Sequence, residues 1–172
     1  IYLNLAKEEN WEGFLPALAR EMGRRICPAL LIVVEPTDWD FDFSPWPAPP
    51  LRPGQPPFPG GADARIRLME EKVKPAVDAR YPTLPEPENT GIFGYSLGGL
   101  AALYALYTSQ AFGMAGCLSG SLWYEGFVDF LRARQAPAGA RIYLSLGRKE
   151  ERSRNPYLSR IGACYQEAHE LL

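Results

Sequence analysis

The segment that most constrains the fold of this chain is Gly94-Tyr95-Ser96-Leu97-Gly98-Gly99, where a serine stands between a strand-like run and a helix-like run. A Gly-x-Ser-x-Gly pattern at such a junction is typical of a tight strand-to-helix turn that presents a nucleophilic serine at the edge of a sheet. Gly94 and Gly98 suit this turn, because a residue without a Cβ leaves room where the strand and the helix converge. The alternative is a glycine-rich turn with an incidental serine.

The segments on either side favour the nucleophile. Thr90-Gly91-Ile92-Phe93 is a short buried strand by its pattern, and Pro85 and Pro87 bound it upstream. Leu97 to Tyr107 is almost free of charge and rich in leucine and alanine. A helix that is apolar on all sides is a buried helix. We therefore expect Ser96 to stand between a buried strand and a buried helix.

Strand-like and helix-like segments alternate along the rest of the chain, which predicts an α/β fold with a mostly parallel sheet and helices on both faces. Pro75 lies inside one helical pattern and predicts a kink there. The predicted strands are 1–5, 29–34, 90–94, 114–119 and 141–146. The predicted helices are a short one with Phe14, Leu15, Leu18 and Met22 on one face, then 62–80, 97–107, 124–134 (Phe127, Phe130 and Leu131 inward), and a last one marked by Ile161, Cys164, Tyr165, Ala168 and Leu172.

The segment from Pro36 to Gly61 interrupts this alternation and has no helical signal. Eight prolines and three glycines occur in the seventeen residues from Pro45 to Gly61, and the prolines predict an extended path. The stretch before them, 38–46, alternates acidic and aromatic residues. A loop this long in a compact domain is usually functional or disordered. It is either an edge segment laid over the core or an aromatic wall beside Ser96 that binds a planar or apolar group.

Bulk composition excludes several classes of function. The chain has 172 residues, which predicts a single domain over 1–172. The net charge of −2 and the lack of a basic run argue against nucleic-acid binding. No apolar stretch is long enough to cross a bilayer. Three widely spaced cysteines, Cys27, Cys117 and Cys164, indicate neither a metal site nor a disulfide framework. We expect no cofactor and a cytoplasmic protein, whose sequence starts at Ile1 without its true N-terminus.

A serine hydroxyl needs a base, a group that orients the base, and donors for the oxyanion. One donor would be the backbone N–H of Leu97, and the second would come from 5–10. The acid should follow a strand beyond the next helix, where Glu150 or Glu151 could serve. The alternative for that segment is a solvated charged turn. Asp129 is less suitable because it lies inside a helical pattern.

The base is not apparent in the sequence. His169 is the only histidine, and it falls near the end of the last predicted helix, as a helix-flank residue would. A triad histidine belongs on a loop after a further strand. We therefore expect the final strand, the catalytic histidine loop and the last helix to follow residue 172, so that the fold is truncated at both ends.

Four stretches together resemble the esterase family of α/β-hydrolases that includes the enterobactin and bacillibactin siderophore esterases. They are Asp42-Phe43-Ser44-Pro45-Trp46-Pro47-Ala48-Pro49, Gly94-Tyr95-Ser96-Leu97-Gly98-Gly99, Ser119-Gly120-Ser121-Leu122-Trp123-Tyr124 and Leu144-Ser145-Leu146-Gly147-Arg148-Lys149-Glu150-Glu151. The likeness extends over about 29–172. It implies an α/β-hydrolase fold.

The resemblance also implies roles for individual residues. Ser96 matches the family nucleophile and Glu150 its acid, while the family histidine would lie past residue 172. Two departures are Arg148, where close relatives often have Asp, and Ala6-Lys7-Glu8-Glu9 in place of the common Asp-Gly turn. Trp123 and Tyr124 line the pocket or belong to the core, and Trp46 is a further candidate for contact with substrate.

These observations predict a serine carboxylesterase that works through an acyl-enzyme on a small-molecule ester. The resemblance implies a siderophore, aryl or lactone ester as substrate. One alternative is an acyltransferase on the same framework. Another is a non-catalytic binding protein of this fold, which the missing histidine motivates. The sequence leaves the oligomeric state open.

Overall fold

The fold is built on a five-stranded parallel sheet in the order β2-β1-β3-β4-β5. The computed structural model describes residues 2–4, 16–17, 20–21, 24 and 29–172. The strands are β1 (Tyr2–Asn4), β2 (Ile32–Val33), β3 (Gly91–Tyr95), β4 (Met114–Leu118) and β5 (Arg141–Ser145). The prediction of an α/β fold with a parallel sheet is therefore confirmed. The predicted helix face with Phe14, Leu15, Leu18 and Met22 lies outside the described residues, as does Cys27.

The register brings the carboxyl ends of three strands level with one another. Tyr95 of β3 pairs with Leu118 of β4, which pairs in turn with Ser145 of β5. The segments that follow these strands therefore leave the sheet on the same side, along the line of carboxyl-terminal strand ends, which we call the sheet edge. In open α/β sheets this edge is where ligands bind.

Within residues 29–172, five α-helical elements accompany the sheet. They are α1 (Trp39–Phe43), α2 (Ala62–Leu68, a π-helical turn Met69–Val73, and Lys74–Arg80), α3 (Leu97–Thr108), α4 (Phe127–Arg132) and α5 (Ile161–Leu171). Short 3-10 turns occur at Pro87–Asn89, Glu150–Arg152 and Leu158–Arg160. The π-helical turn lies directly before Pro75, and its bond from Lys74 N–H to the Met69 carbonyl spans five residues. Proline lacks an N–H, so the helix changes its hydrogen-bonding pattern at the predicted position.

Helix α3 lies at the centre of the core. All of its residues from Leu97 to Leu106 are buried, as the uncharged sequence predicts. Gly99, in its first turn, faces the sheet and allows a close approach. A Cβ placed on Gly99 would lie 2.9 Å from the Gly94 carbonyl oxygen and 3.1 Å from the Cα of Gly120. The nucleophile turn is thus held between β3, α3 and the segment after β4.

One prediction for the proline-rich segment is wrong, because α1 lies inside it. The Asp38 carboxylate accepts a hydrogen bond from Phe41 N–H at 2.9 Å and caps this helix. A capping aspartate and acidic first-turn residues stabilise even a short helix, and they outweigh the lack of apolar periodicity. Beyond α1, Ala48 and Phe58 form an isolated antiparallel bridge and are buried. Much of the segment therefore covers the core.

Candidate active site

Ser96 occupies a strained turn between β3 and α3. Its φ is 56° and its ψ is −124°, a conformation that residues with a side chain rarely adopt. The turn is tight because a Cβ on Gly94 would lie 2.1 Å from the Gly98 carbonyl oxygen. The side chain of Ser96 is half-buried and lines an open cleft. The geometry is that of the predicted strand–serine–helix turn.

The backbone of Ser96 is fixed from both sides. Its N–H donates to the Leu118 carbonyl at 3.1 Å, and its carbonyl accepts from Ser121 N–H at 3.0 Å. The same carbonyl accepts from Gly99 and Leu100 N–H in the first turn of α3. Leu97 is the first residue of α3, where a helix leaves its N–H groups without intrahelical partners. Because Leu97 also lines the cleft, its N–H can act as an oxyanion donor there.

A tripeptide after β4, Ser119-Gly120-Ser121, connects the nucleophile turn to the rest of the sheet edge. Ser121 Oγ lies 3.4 Å from Ser96 Oγ. Ser119 has a φ of 43°, a second strained residue at this edge. Gly120 N–H donates to the Tyr165 hydroxyl at 2.5 Å, which ties the tripeptide to α5. Burial raises the pKa of Tyr165 far above its ordinary value, so the phenol stays neutral.

Glu150 lies at the same sheet edge as Ser96. Its Oε1 accepts hydrogen bonds from Ser119 Oγ at 2.6 Å and from Gly147 N–H at 2.8 Å. The tripeptide after β4 thus contacts the nucleophile through Ser121 and the carboxylate through Ser119. Sequence reasoning gave neither serine a role, although both stand in one of the stretches that carried the family resemblance.

The other titratable candidates are placed elsewhere. Glu151 is exposed and lies near Gly162 at the start of α5. Asp129 lies within α4 and forms an ion pair with Arg132. His169 is exposed on the last turn of α5 and does not line the cleft. Of the acid candidates proposed from the sequence, Glu150 is therefore the one that the structure brings to the edge where Ser96 stands.

The cleft at Ser96 has a volume of about 230 Å³ and three aromatic walls. Partial burial, together with the neighbouring Asp38 carboxylate, raises the pKa of Asp40 above its ordinary value. The lining residues are Trp39, Asp40, Leu51, Gln55, Pro56, Phe58, Ser96, Leu97, Ser121 and Trp123. Trp39, Asp40 and Phe58 all come from the proline-rich segment, the first two from α1. That segment thus covers the core and also forms a wall of the cleft.

Of the three aromatic residues proposed to contact substrate, only Trp123 lines this cleft. The Trp46 indole N–H donates to the Glu125 carbonyl at 2.9 Å, and its ring stacks on Phe127 with centroids 6.2 Å apart. Tyr124 is 2% exposed, and its hydroxyl donates to the Trp46 carbonyl at 2.5 Å. Aromatic side chains of α3 and α4 surround Trp46, and Tyr124 packs against Trp46, Phe58 and Trp123. Both residues therefore serve packing.

A second, larger cavity of about 500 Å³ adjoins the cleft and shares Trp123 with it. Its lining comes from 122–129 together with Arg132, Tyr157, Arg160, Cys164 and Glu167. Ser96 does not reach it. Burial raises the pKa of Cys164, and it raises the pKa of Cys117 to about 12. Neither thiol is therefore a competing nucleophile, since the thiolate is the reactive form.

The described residues offer no group of three or more His, Cys, Asp or Glu side chains that could hold a metal ion. No helix within the described part of the chain has the length and apolar character needed to cross a membrane.

Comparison with known proteins identifies a family. The family model with the description "Putative esterase" matches residues 10–170. The uncharacterized protein YbbA of Bacillus subtilis is 28% identical over 152 residues, which cover 87% of this chain and 60% of YbbA. The siderophore enterobactin esterase of Emericella nidulans is 34% identical over 101 residues, which cover 56% of this chain and 33% of that protein. The chain thus spans less than two thirds of the length of these relatives.

Solved structures show the same fold. The enterobactin esterase of Shigella flexneri, crystallised in the presence of enterobactin, superposes with a TM-score of 0.69 at 24% identity. That match covers 99% of this chain and 42% of the esterase. The siderophore hydrolase EstB of Aspergillus nidulans gives a TM-score of 0.68 at 19% identity and covers 99% of this chain and 69% of EstB.

Proposed function

The chain belongs to this esterase family, and on that premise we propose that it is the core of a serine hydrolase that cleaves small-molecule carboxylic esters at Ser96. The observation that carries the proposal is the geometry of one sheet edge. Ser96 stands there in a strained turn, and Glu150 is held at the same edge by Ser119. Strain of this kind concentrates at functional sites, where the surrounding structure maintains it.

The proposed reaction has two halves. Ser96 Oγ attacks the ester carbonyl while its proton passes to a base, and the carbonyl oxygen becomes an oxyanion near Leu97 N–H. Collapse of this intermediate expels the alcohol, which takes the proton, and leaves an acyl-serine. Water, deprotonated by the same base, then releases the acid. One oxyanion donor contributes about 3 kcal/mol to lowering the barrier in such enzymes.

A histidine is the base that fits this scheme. Among the described residues no histidine lies at the cleft, since His169 is exposed on α5 and does not line it. We propose that the base comes from a part of the protein beyond these 172 residues and that Glu150 orients it. The greater length of the relatives supports this arrangement.

The proposed substrates are siderophore-like esters with aromatic acyl groups. The named relatives include esterases for enterobactin and for triacetylfusarinine C. The aromatic walls of the cleft, formed by Trp39, Phe58 and Trp123, suit a planar group.

The proposed location is the cytoplasm. Cys117 and Cys164 are free thiols, which supports this location, since free thiols persist in a reducing compartment.

The proposal can be tested with the full-length protein. We expect hydrolysis of p-nitrophenyl acetate and labelling by a fluorophosphonate, and loss of both in Ser96→Ala. Ser159→Ala is the matched control, because Ser159 is an exposed serine away from the cleft. Labelling of Ser96→Ala at the rate of Ser159→Ala would refute the assignment of the nucleophile. If the fluorophosphonate labels Ser96 but the protein transfers the acyl group to an added alcohol in preference to water, the protein is an acyltransferase instead.

A further inference from the structure

The cleft at Ser96 combines aromatic walls with a single charge. Among the described residues that line it, Asp40 alone is formally charged, while Trp39, Phe58 and Trp123 are aromatic. The face of an aromatic ring is electrostatically negative. The carboxylate thus gives its wall of the cleft a negative potential, which ring faces turned toward the cavity would reinforce.

The position of Asp40 is fixed by α1. Ser44 Oγ donates to the Asp40 carbonyl at 2.5 Å, which anchors the end of this short helix. Asp42, on the same helix, accepts from Thr37 N–H at 2.7 Å and lies 3.7 Å from the buried Arg65 guanidinium. These contacts anchor α1 to the loop after β2 and to α2. Trp39 and Asp40 are thereby held at the wall of the cleft.

Among the residues that the structure describes, the side chain of Asp40 differs from that of Asp42 in having no hydrogen-bond or ion-pair partner. Within the described part of the chain, no cation or hydrogen-bond donor lies within bonding distance of the Asp40 carboxylate. Asp42 serves the fold through its bonds to Thr37 and Arg65. The Asp40 carboxylate is therefore available to a molecule bound in the cleft.

We infer that Asp40 determines specificity by charge: the cleft favours aromatic esters that carry an ammonium or hydroxyl substituent and disfavours anionic aromatic esters. The inference rests on the proposed function for its substrate class. Its physical basis is binding, because both the carboxylate and the faces of the aromatic rings attract a cation electrostatically. A phenolic hydroxyl gains a charge-assisted hydrogen bond to the same carboxylate.

The size of the effect follows from Coulomb's law. Two unit charges roughly 6 Å apart at an effective dielectric constant of about 40 interact strongly enough to change an equilibrium about tenfold. The carboxylate is exposed, so salt should weaken the preference. At about 1 M salt the screening length is about 3 Å, and most of the preference should disappear.

The first measurement is binding, which does not need turnover. Meta-trimethylammoniophenol and meta-tert-butylphenol have nearly the same shape and differ in charge. Each is titrated into the full-length protein, and the fluorescence of Trp39 and Trp123 at the cleft reports binding. We expect Asp40→Asn to lower the ratio of the two affinities, ammonium over tert-butyl, about tenfold relative to wild type. Asp40→Glu, which keeps the charge, should retain most of the preference.

Asp38→Asn is the matched control. Asp38 is a neighbouring carboxylate that does not line the cleft, and asparagine can still cap α1. Its affinity ratio should stay within about twofold of wild type. The second measurement is kcat/KM for the two corresponding acetate esters, each divided by its rate of hydrolysis by hydroxide. The ratio of the two corrected kcat/KM values, ammonium over tert-butyl, should fall in Asp40→Asn in parallel with the ratio of the affinities.

An affinity ratio that is the same in Asp40→Asn as in wild type would overturn the inference, and so would an equal loss in Asp38→Asn. The proposed function fails in a different way. If no ester is turned over and no fluorophosphonate labels Ser96, the esterase proposal is wrong, while a charge preference that depends on Asp40 in the binding assay would still support the inference.

Discussion

Replacing Gly94 by alanine tests whether the nucleophile turn depends on close contact between β3 and α3. A Cβ at this position would lie 2.1 Å from the Gly98 carbonyl oxygen, 2.2 Å from the Gly98 carbonyl carbon and 2.8 Å from Gly99 N. All three are backbone atoms, so no side chain can move aside. Ordinary contact at about 3.5 Å would require the start of α3 to move by more than about 1 Å.

The cost can be placed on the scale of core overpacking. Extra methyl groups in well-packed cores cost about 1–3 kcal/mol when side chains can adjust. Because the backbone of α3 must move here, and α3 is buried from Leu97 to Leu106, we expect a loss of about 3 kcal/mol or more in the free energy of unfolding. For a domain of this size that corresponds to a fall in Tm of roughly 6–12 °C.

Urea unfolding of the full-length protein measures this loss, with Gly139→Ala as the control. Gly139 has a φ of +76° and nothing within 4 Å of an added Cβ. It therefore carries the backbone strain of a left-handed residue without a clash, for which we expect about 1 kcal/mol. A Gly94→Ala protein that loses no more stability than Gly139→Ala and remains fully active would refute the close-contact account of the turn.

Three further changes test contacts around the site. Ser119→Ala removes the hydroxyl that donates to Glu150 at 2.6 Å. We expect kcat for p-nitrophenyl acetate to fall about tenfold, since a hydrogen bond to a charged group contributes about 1.5–3 kcal/mol. An unchanged kcat would argue against a role for this contact. Tyr165→Phe leaves Gly120 N–H without its acceptor; urea unfolding should show a loss of about 1–3 kcal/mol, whereas wild-type stability would mean that another acceptor replaces the phenol. Burial raises the pKa of Cys117 to about 12, so this thiol should resist iodoacetamide at neutral pH in the folded protein and react once urea unfolds it; rapid alkylation of Cys117 in the native state would contradict its burial.

The sequence predicted the centre of the fold well because the elements there have sequences that suit only a buried position. The helix after Ser96 is uncharged from Leu97 to Tyr107, and only a buried position suits such a helix. The strand before Ser96 is short and apolar, as a strand covered on both faces must be. Both elements appear in the structure within about two residues of their predicted bounds.

The parts that the sequence did not predict depend on long-range contacts. Helix α1 is too short to show a period, and its aspartate cap became evident only with the geometry. The contacts of Ser119 and Ser121 arise because β3, β4 and β5 end level with one another, which no local pattern encodes. Trp46 was proposed for the cleft by its aromatic neighbours in sequence, but residues from α3 and α4 enclose it.

The most direct test of the central claim is to locate the covalent adduct by peptide mass spectrometry after the full-length protein has reacted with a fluorophosphonate. The account predicts one modified site, Ser96, and its disappearance in Ser96→Ala. An adduct on Ser119, Ser121 or any other residue, with Ser96 unmodified, would contradict the assignment of Ser96 as the nucleophile.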